Sequence, residues 1–464
     1  MSVLPPKEHQ IGDVEWITRV QRGLLANEPG LGKTRSAIDA TSNMERVLVV
    51  APSLVLSAGV WEDEIEKWGQ DSDTEYTLAP YSMLNVRKPT GKGSGSTPVK
   101  VLREPYQGHW DALIIDEAHY VKGRKTSWTW ATQQIAKNSD LIMPMTGTPV
   151  PNWAHELFTL LQMIYPQEAG RGERFGSFWR WAGEWFDTTP TRFSNGNPVV
   201  GELLGCRRSC LSRPSSDPCE HYQRFSHDNL GERWRRQLRA DCLDLPPITE
   251  QTIRVPMNDT TRRMYNKMVK DFAVTVDDEE VLAWNQGTKN DLLDLITCSP
   301  WLLAPKGDPY GGKFDMLAMD VAARSQPMLV FAHHRSVVEA AARVAELSGA
   351  RAGFVHGGNK AQGGQIIKDF KAGRLDVLVG SLELLAEGLT FTEADTVIFV
   401  EKSFKNYRNE QAWQRVHRMG QTRAVTIKDY VTPASVDAKK RKRLATKADR
   451  SQRVMTAAEF KALL

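Results

Sequence analysis

The chain has 464 residues, enough for two or three compact domains, and its 41% hydrophobic and 25% charged composition sets aside disordered and fibrous classes. No apolar run approaches the roughly 18 residues of a membrane span, MSVLPPKEHQ lacks the apolar core of a secretory leader, and five cysteines, an odd number, argue for reduced thiols. The expected location is therefore cytoplasmic, in a bacterium or in the host of an encoding virus, and a net charge of +4 permits a nucleic-acid partner without proving one.

Short apolar runs set the rhythm of the first third. GLLAN, RVLVVAP, HWDALIID and LIMPMTG, between about Gly23 and Pro149, alternate with helix-like or loop stretches. Runs that are apolar throughout predict strands of a parallel sheet covered on both faces. Residues 87–98, RKPTGKGSGSTP, read as a surface loop. From about Trp153 to Thr249 strand periodicity fades while Trp, Arg, Pro and Cys accumulate, which predicts a mostly helical insertion with irregular loops. Helical patterning (RRMYNKMVKDFAV, NDLLDLITC) fills 250–325. The parallel-sheet rhythm then returns in QPMLVFAHH, RAGFVHG, LDVLVGS, DTVIFVE and AVTIKDY. The fold class is α/β with two lobes. The expected division is 1–165, a first lobe; 166–249, the insertion; 250–325, a helical linker; 326–440, a second lobe; and 441–464, a basic tail.

NEPGLGKT, residues 27–34, stands between an apolar run and helix-like RSAIDAT. That is the strand, loop, helix context of a phosphate-binding loop. Gly30 and Gly32 allow backbone N–H groups to turn inward, Lys33 brings a point charge, and Thr34 offers a hydroxyl to Mg²⁺. Further on, the apolar run DALII ends in Asp116-Glu117-Ala118-His119. A carboxylate at the C-terminal end of a parallel strand lies beside such a loop, so Asp116 is the expected Mg²⁺ ligand and Glu117 the expected base for an attacking water. ATP and Mg²⁺ are the implied cofactors.

With these motifs the sequence resembles superfamily-two helicases of the DEAH-box type, and more narrowly the Swi/Snf DNA translocases, from about residue 7 to residue 431. EHQIGDVEWI resembles the element in which Gln10 would contact adenine, and VVAPSLVLSAGVWEDEIEKW resembles the next block, with Trp61 and Trp68 in place. MTGTPVPN resembles the TGTP block between nucleotide and DNA, where Thr146 and Thr148, with Ser381 further on, would face phosphates. In the second lobe SLELLAEGLTFTEADTVIFVE matches through Gly388, and EQAWQRVHRMGQTR matches through Gln411, Arg415, Arg418, Gly420 and Gln421. The resemblance implies two RecA-like lobes of the P-loop NTPase type. It implies that Gly388 and Gln411 contact nucleotide, and that Arg415 and Arg418 complete the catalytic charge. The activity implied is a DNA-dependent ATPase that moves along double-stranded DNA, gripping the backbone without strong sequence preference. A strand-separating DNA or RNA helicase is the alternative. The LTF wording after Gly388 is closest to the annealing-helicase (HARP-like) branch, and the expected process is replication, recombination or repair.

Three further features stand outside these motifs. Cys206, Cys210, Cys219 and His221 are candidate zinc ligands in GCRRSCLSRPSSDPCEHY, although reduced thiols fit the irregular spacing better. Phe178, Trp181 and Trp185 have helical spacing and read as a buried stripe rather than a base-stacking surface. His333 and His334 carry no assignable role.

Overall fold

The computed structural model describes residues 5–70, 72–88, 99–150, 153–165, 176–190, 198–206, 219–276, 279–385, 388–403 and 406–441. They form two compact units that divide after Leu243. Among them no helix is long and apolar enough to cross a membrane.

The first unit is built on a parallel sheet in the order Glu75–Pro80, Arg46–Ala51, Trp110–Ile115, Ser139–Pro144. Successive side chains on a strand face opposite ways. Leu48, Val50, Leu113 and Ile115 accordingly join one apolar cluster, while Val47, Val49, Ala112 and Ile114 join another. Both faces are covered, which is why these runs are apolar without alternation. The short strand Leu24–Leu25 extends the sheet beside Met145 and pairs in parallel, on its other side, with Trp234–Arg235.

The segment expected as an insertion supplies Phe178, Trp181, Phe186, Phe225 and Leu230 to the same apolar cluster as Leu48 and Leu113. Its helix Phe178–Trp185 begins at Ser177, whose hydroxyl accepts from Arg180 N. Phe178 and Trp181 face inward, and Trp181 Nε1 donates to Asn229 Oδ1 at 2.7 Å. Trp179, on the opposite face, is 44% exposed. This stretch is less helical than its composition suggests, because Phe186–Pro190 and Pro198–Leu203 form an antiparallel hairpin.

The second unit carries six parallel strands in the order Ile248–Arg254, Val425–Val431, Thr396–Phe399, Met328–Ala332, Val377–Ser381, Ala352–Val355. The last five are the predicted ones. Ile248–Arg254 straddles the expected 249/250 boundary and is an edge strand with mostly exposed side chains. Helix Arg335–Leu347 packs Val337, Val338, Ala341 and Ala345 onto the sheet's apolar layer. His333 and His334 do have a partner. The buried Glu401 carboxylate accepts from both backbone N–H groups, at 3.0 and 2.9 Å, and pairs with His334 Nδ1 at 2.8 Å.

Candidate nucleotide site

The phosphate loop leaves the sheet after Leu25 and enters helix Lys33–Thr41. Gly30 and Gly32 take φ values of 93° and 73°, the left-handed region where a side chain is strained, so the loop's curvature depends on both glycines. Lys33 Nζ lies within the loop's own curl, donating to the carbonyls of Asn27 at 2.7 Å and Glu28 at 3.2 Å. Thr34 follows in the first helical turn and is half-buried.

Helix Glu8–Val20 braces the loop from one side. Gln10 accepts from Lys7 N at 2.9 Å and reaches Gly32 O with its amide nitrogen at 3.4 Å, while His9 Nε2 meets Leu31 O at 2.9 Å. Asp13, buried on the same face, is the hub. Its carboxylate accepts from Asn27 Nδ2 at 2.7 Å, from Ser36 Oγ at 3.0 Å and from Arg235 Nε at 2.7 Å. A Cβ at position 12 would stand 2.5 Å from Arg235 Nη2, so Gly12 is what lets that guanidinium lie across the helix. Beyond the loop's other flank, Glu28 Oε2 accepts from Arg239 N at 2.9 Å, and Ala26 N and Glu28 N donate to Arg235 O and Gln237 O. These supports come from residues 235–239, read in sequence only as part of an irregular insertion. The one available signal was Asp13 itself, one helical turn beyond Gln10 on an otherwise amphipathic helix.

Asp116 ends the strand Trp110–Ile115. Its Oδ2 accepts from Trp61 Nε1 at 3.1 Å and its Oδ1 from Glu117 N at 2.9 Å, while its backbone carbonyl accepts from Tyr81 Oη at 2.6 Å. Burial and the adjacent Glu117 charge push the Asp116 carboxyl up to about 6, against the opposing pull of Trp61 and Lys33. A carboxylate disfavoured by burial and a like charge is relieved by a cation, so the donor set fits a divalent metal. Glu117 sits at φ 48°, ψ 52°, a left-handed conformation that costs a non-glycine residue about 1 kcal/mol or more. Its Oε2 lies 3.4 Å from His119 Nδ1, which is 3.3 Å from Thr146 Oγ1; that oxygen accepts from Thr148 N at 3.1 Å. The acidic motif and the TGTP segment are thus one polar chain. A Cβ on Gly147 would stand 2.6 Å from the Pro29 ring, so the same segment packs directly on the phosphate loop.

In the second unit Arg415 and Arg418 converge on one carbonyl, Leu389 O, at 3.5 and 2.7 Å, and Arg418 also meets Thr390 Oγ1 at 2.8 Å. Gly388 begins that segment at φ 65°. Gln411 is fully buried in helix Asn406–Trp413. Gln421 plays a framework part, its Nε2 donating to Ala394 O at 2.8 Å and its Oε1 accepting from the N–H groups of Thr422 and Arg423, both at 3.0 Å. Ser381 is buried at the end of its strand.

The profile of the SNF2-related domain matches residues 9–298, more than half the chain. The chain belongs to the SNF2-related family. The helicase conserved C-terminal domain follows at residues 313–421. Among similar proteins, the human DNA annealing helicase and endonuclease ZRANB3 is 26% identical over 436 residues, covering 91% of this chain and 37% of that protein. The SWI/SNF chromatin-remodeling complex subunit snf22 of Schizosaccharomyces pombe is 24% identical over 506 residues, covering 98% of this chain and 28% of its own length. This chain therefore spans only about a third of such relatives. The solved Sulfolobus solfataricus SWI2/SNF2 ATPase core in complex with dsDNA aligns over 100% of this chain and 97% of its own, at 18% identity and a TM-score of 0.39. As an SNF2-type chain, it carries the phosphate loop and acidic motif within the first matched domain and Arg415 and Arg418 within the second.

Of the four candidate zinc ligands, Cys206, Cys219 and His221 come together, with donor atoms all within 4.8 Å of one another. Cys210 lies outside the described residues, as do most of the 87–98 loop and the tail from 442 onward.

Proposed function

We propose that this SNF2-type chain is an ATP-driven translocase on double-stranded DNA, with lobes 1–165 and 326–440 and with 166–249, 250–325 and 441–464 as accessory segments. Gly30, Gly32, Lys33 and Thr34 hold the ATP phosphates and Gln10 the base. Thr34 and Asp116 hold Mg²⁺, which when bound offsets charge on the phosphate oxygens. Glu117 orients the attacking water and takes its proton. Arg415 and Arg418 neutralise charge that grows on the transferred phosphate, and Gly388 and Gln411 complete the nucleotide contacts of the second lobe.

The observation that carries this reading is the linked chain Glu117, His119, Thr146, Thr148 packed against the loop that holds Lys33. The acidic motif and a segment of DNA-facing type are joined through the His119–Thr146 contact, so the state of one biases the other. That both arginines are already fixed on Leu389 O supports their role, since preorganised cations lose little freedom when charge develops. ATP favours the arrangement in which both sets of groups reach it, and phosphate release removes that preference; repeated, this moves the duplex. Backbone gripping reads no bases, so binding is strongly salt-dependent.

ATP turnover measured side by side with duplex DNA, single-stranded DNA and RNA tests the proposal. The duplex is expected to stimulate most, and Lys33→Ala to abolish turnover. Preferential stimulation by single strands, with release of a labelled strand, would turn the reading to a strand-separating helicase. Undiminished turnover by Lys33→Ala would remove the site assignment.

A further inference from the structure

The geometry points to a structural zinc site at Cys206, Cys219 and His221 that pins the Phe186–Leu203 hairpin to the helix Glu220–Leu230 in the first unit. Cys206 follows the second hairpin strand, its N–H donating to Leu203 O at 3.0 Å. Cys219 is the residue that precedes the helix, and His221 stands in its first turn. Two separate elements therefore contribute donors to one point.

Three observations favour an ion over incidental packing. The two sulfurs stand 3.6 Å apart. Thiolates sharing a tetrahedral zinc at Zn–S distances of about 2.3 Å are about 3.8 Å apart, whereas a disulfide joins them at about 2.0 Å. The nearest nitrogen or sulfur of all three residues falls within 4.8 Å of the others, as a shared ion requires. Gly205, at φ 81°, has no Cβ where one would stand 2.5 Å from His221 Nε2, so the backbone is shaped to admit the imidazole beside the thiols. Two sulfurs and one imidazole suit zinc better than hard cations such as Mg²⁺ or Ca²⁺. In a tetrahedral zinc site these residues would supply three of the four ligands.

The energetic reason lies in the local build. An isolated two-stranded hairpin is marginal in water. Here the hairpin strand Pro198–Leu203 and the helix Glu220–Leu230 meet at the Cys206–Cys219 pair. The helix brings Tyr222 and Phe225 into the core that holds Trp181. A metal joining the hairpin end to the helix start stabilises that docking directly.

The test uses the full chain, purified without chelator from zinc-supplemented culture, with zinc counted by plasma mass spectrometry. The expected result is one zinc per chain, released in step with thiol blocking by a mercurial, and lost in Cys219→Ser and in His221→Ala. Because Cys219 is buried and its variant can misfold, His221→Ala with an unchanged far-ultraviolet spectrum is the cleaner arm. Cobalt in place of zinc is expected to give tetrahedral and thiolate charge-transfer bands. Wild-type chain with substoichiometric zinc, and thiols that react identically with and without added Zn²⁺, would overturn the site. So would a Cys206–Cys219 disulfide in protein handled without oxidant, or full zinc retention by His221→Ala.

Discussion

Asp13→Ala is the most informative single perturbation of the phosphate loop. The substitution strands two donors in a dry site, since Asn27 is fully buried and Ser36 is 1% exposed. Each donor so left costs roughly 1–3 kcal/mol. Arg235 loses its carboxylate too, but its side chain is 24% exposed and water recovers part of that interaction, so the full penalty of a broken buried pair does not apply. The sum is about 4 kcal/mol, which for a unit of this size lowers the thermal midpoint by roughly 10 °C. Asp13→Asn keeps one acceptor and should lose about half as much. Scanning calorimetry of the ATP-shifted transition, with KM for ATP measured below the unfolding range, follows both effects. KM for ATP is expected to rise, because Asp13 positions the loop that carries Lys33. A midpoint within about 2 °C of wild type for Asp13→Ala would refute the hub assignment.

Other expected outcomes follow from the same contacts. Thr146→Val keeps the side chain's shape but removes the hydroxyl joining His119 to Thr148 N, and should cut DNA stimulation of turnover by about 1 kcal/mol of coupling, roughly fivefold, with basal turnover near wild type; equal fold-stimulation in both proteins would count against a link through Thr146. Lys440 Nζ sits 3.0 Å from Asp294 Oδ2 with both side chains almost fully buried, and burial already pushes the Asp294 carboxyl up. Lys440→Met should therefore destabilise the second unit by about 3–5 kcal/mol in urea denaturation, and adding Asp294→Leu should restore most of it. Burial opposes charge on both Glu401 and His334, but their mutual hydrogen bond outweighs it, holding Glu401 down to about 2 and His334 above its ordinary value. The Glu401 part of this stability is present above pH 4.5 and fades as pH falls toward 2. The His334 part is complete below pH 6.5 and fades as pH rises through its elevated pKa, so His334→Gln should flatten the stability profile on that alkaline side.

What was legible in the sequence was whatever burial or chemistry forces on consecutive residues. Strands such as Arg46–Ala51 and Met328–Ala332 are covered on both faces and so announce themselves as unbroken apolar runs. The edge strand Ile248–Arg254 has a solvated, polar sequence and reads as nothing in particular, and Trp234–Arg235 is too short for any period to register, whereas Leu24–Leu25 falls inside the apolar run GLLAN. Lys33, Asp116 and Glu117 stood out because phosphate and metal chemistry dictates residue types at close spacing. Asp13 and Arg235 did not, since their pairing spans 222 positions and only the folded chain brings them together. The aromatic stripe was half legible: Phe178 and Trp181 are core residues as their spacing implies, but their packing against Phe225 and Asn229 could not be read locally.

The strand Trp234–Arg235 has a mechanical implication. It is zipped to the strand that launches the phosphate loop, and within a few residues the same polypeptide crosses into the second unit. Unzipping that strand would therefore loosen the seat of Lys33 and Asp13 as well, because Arg235 and the backbone of Arg239 are stitched to Asp13 and Glu28.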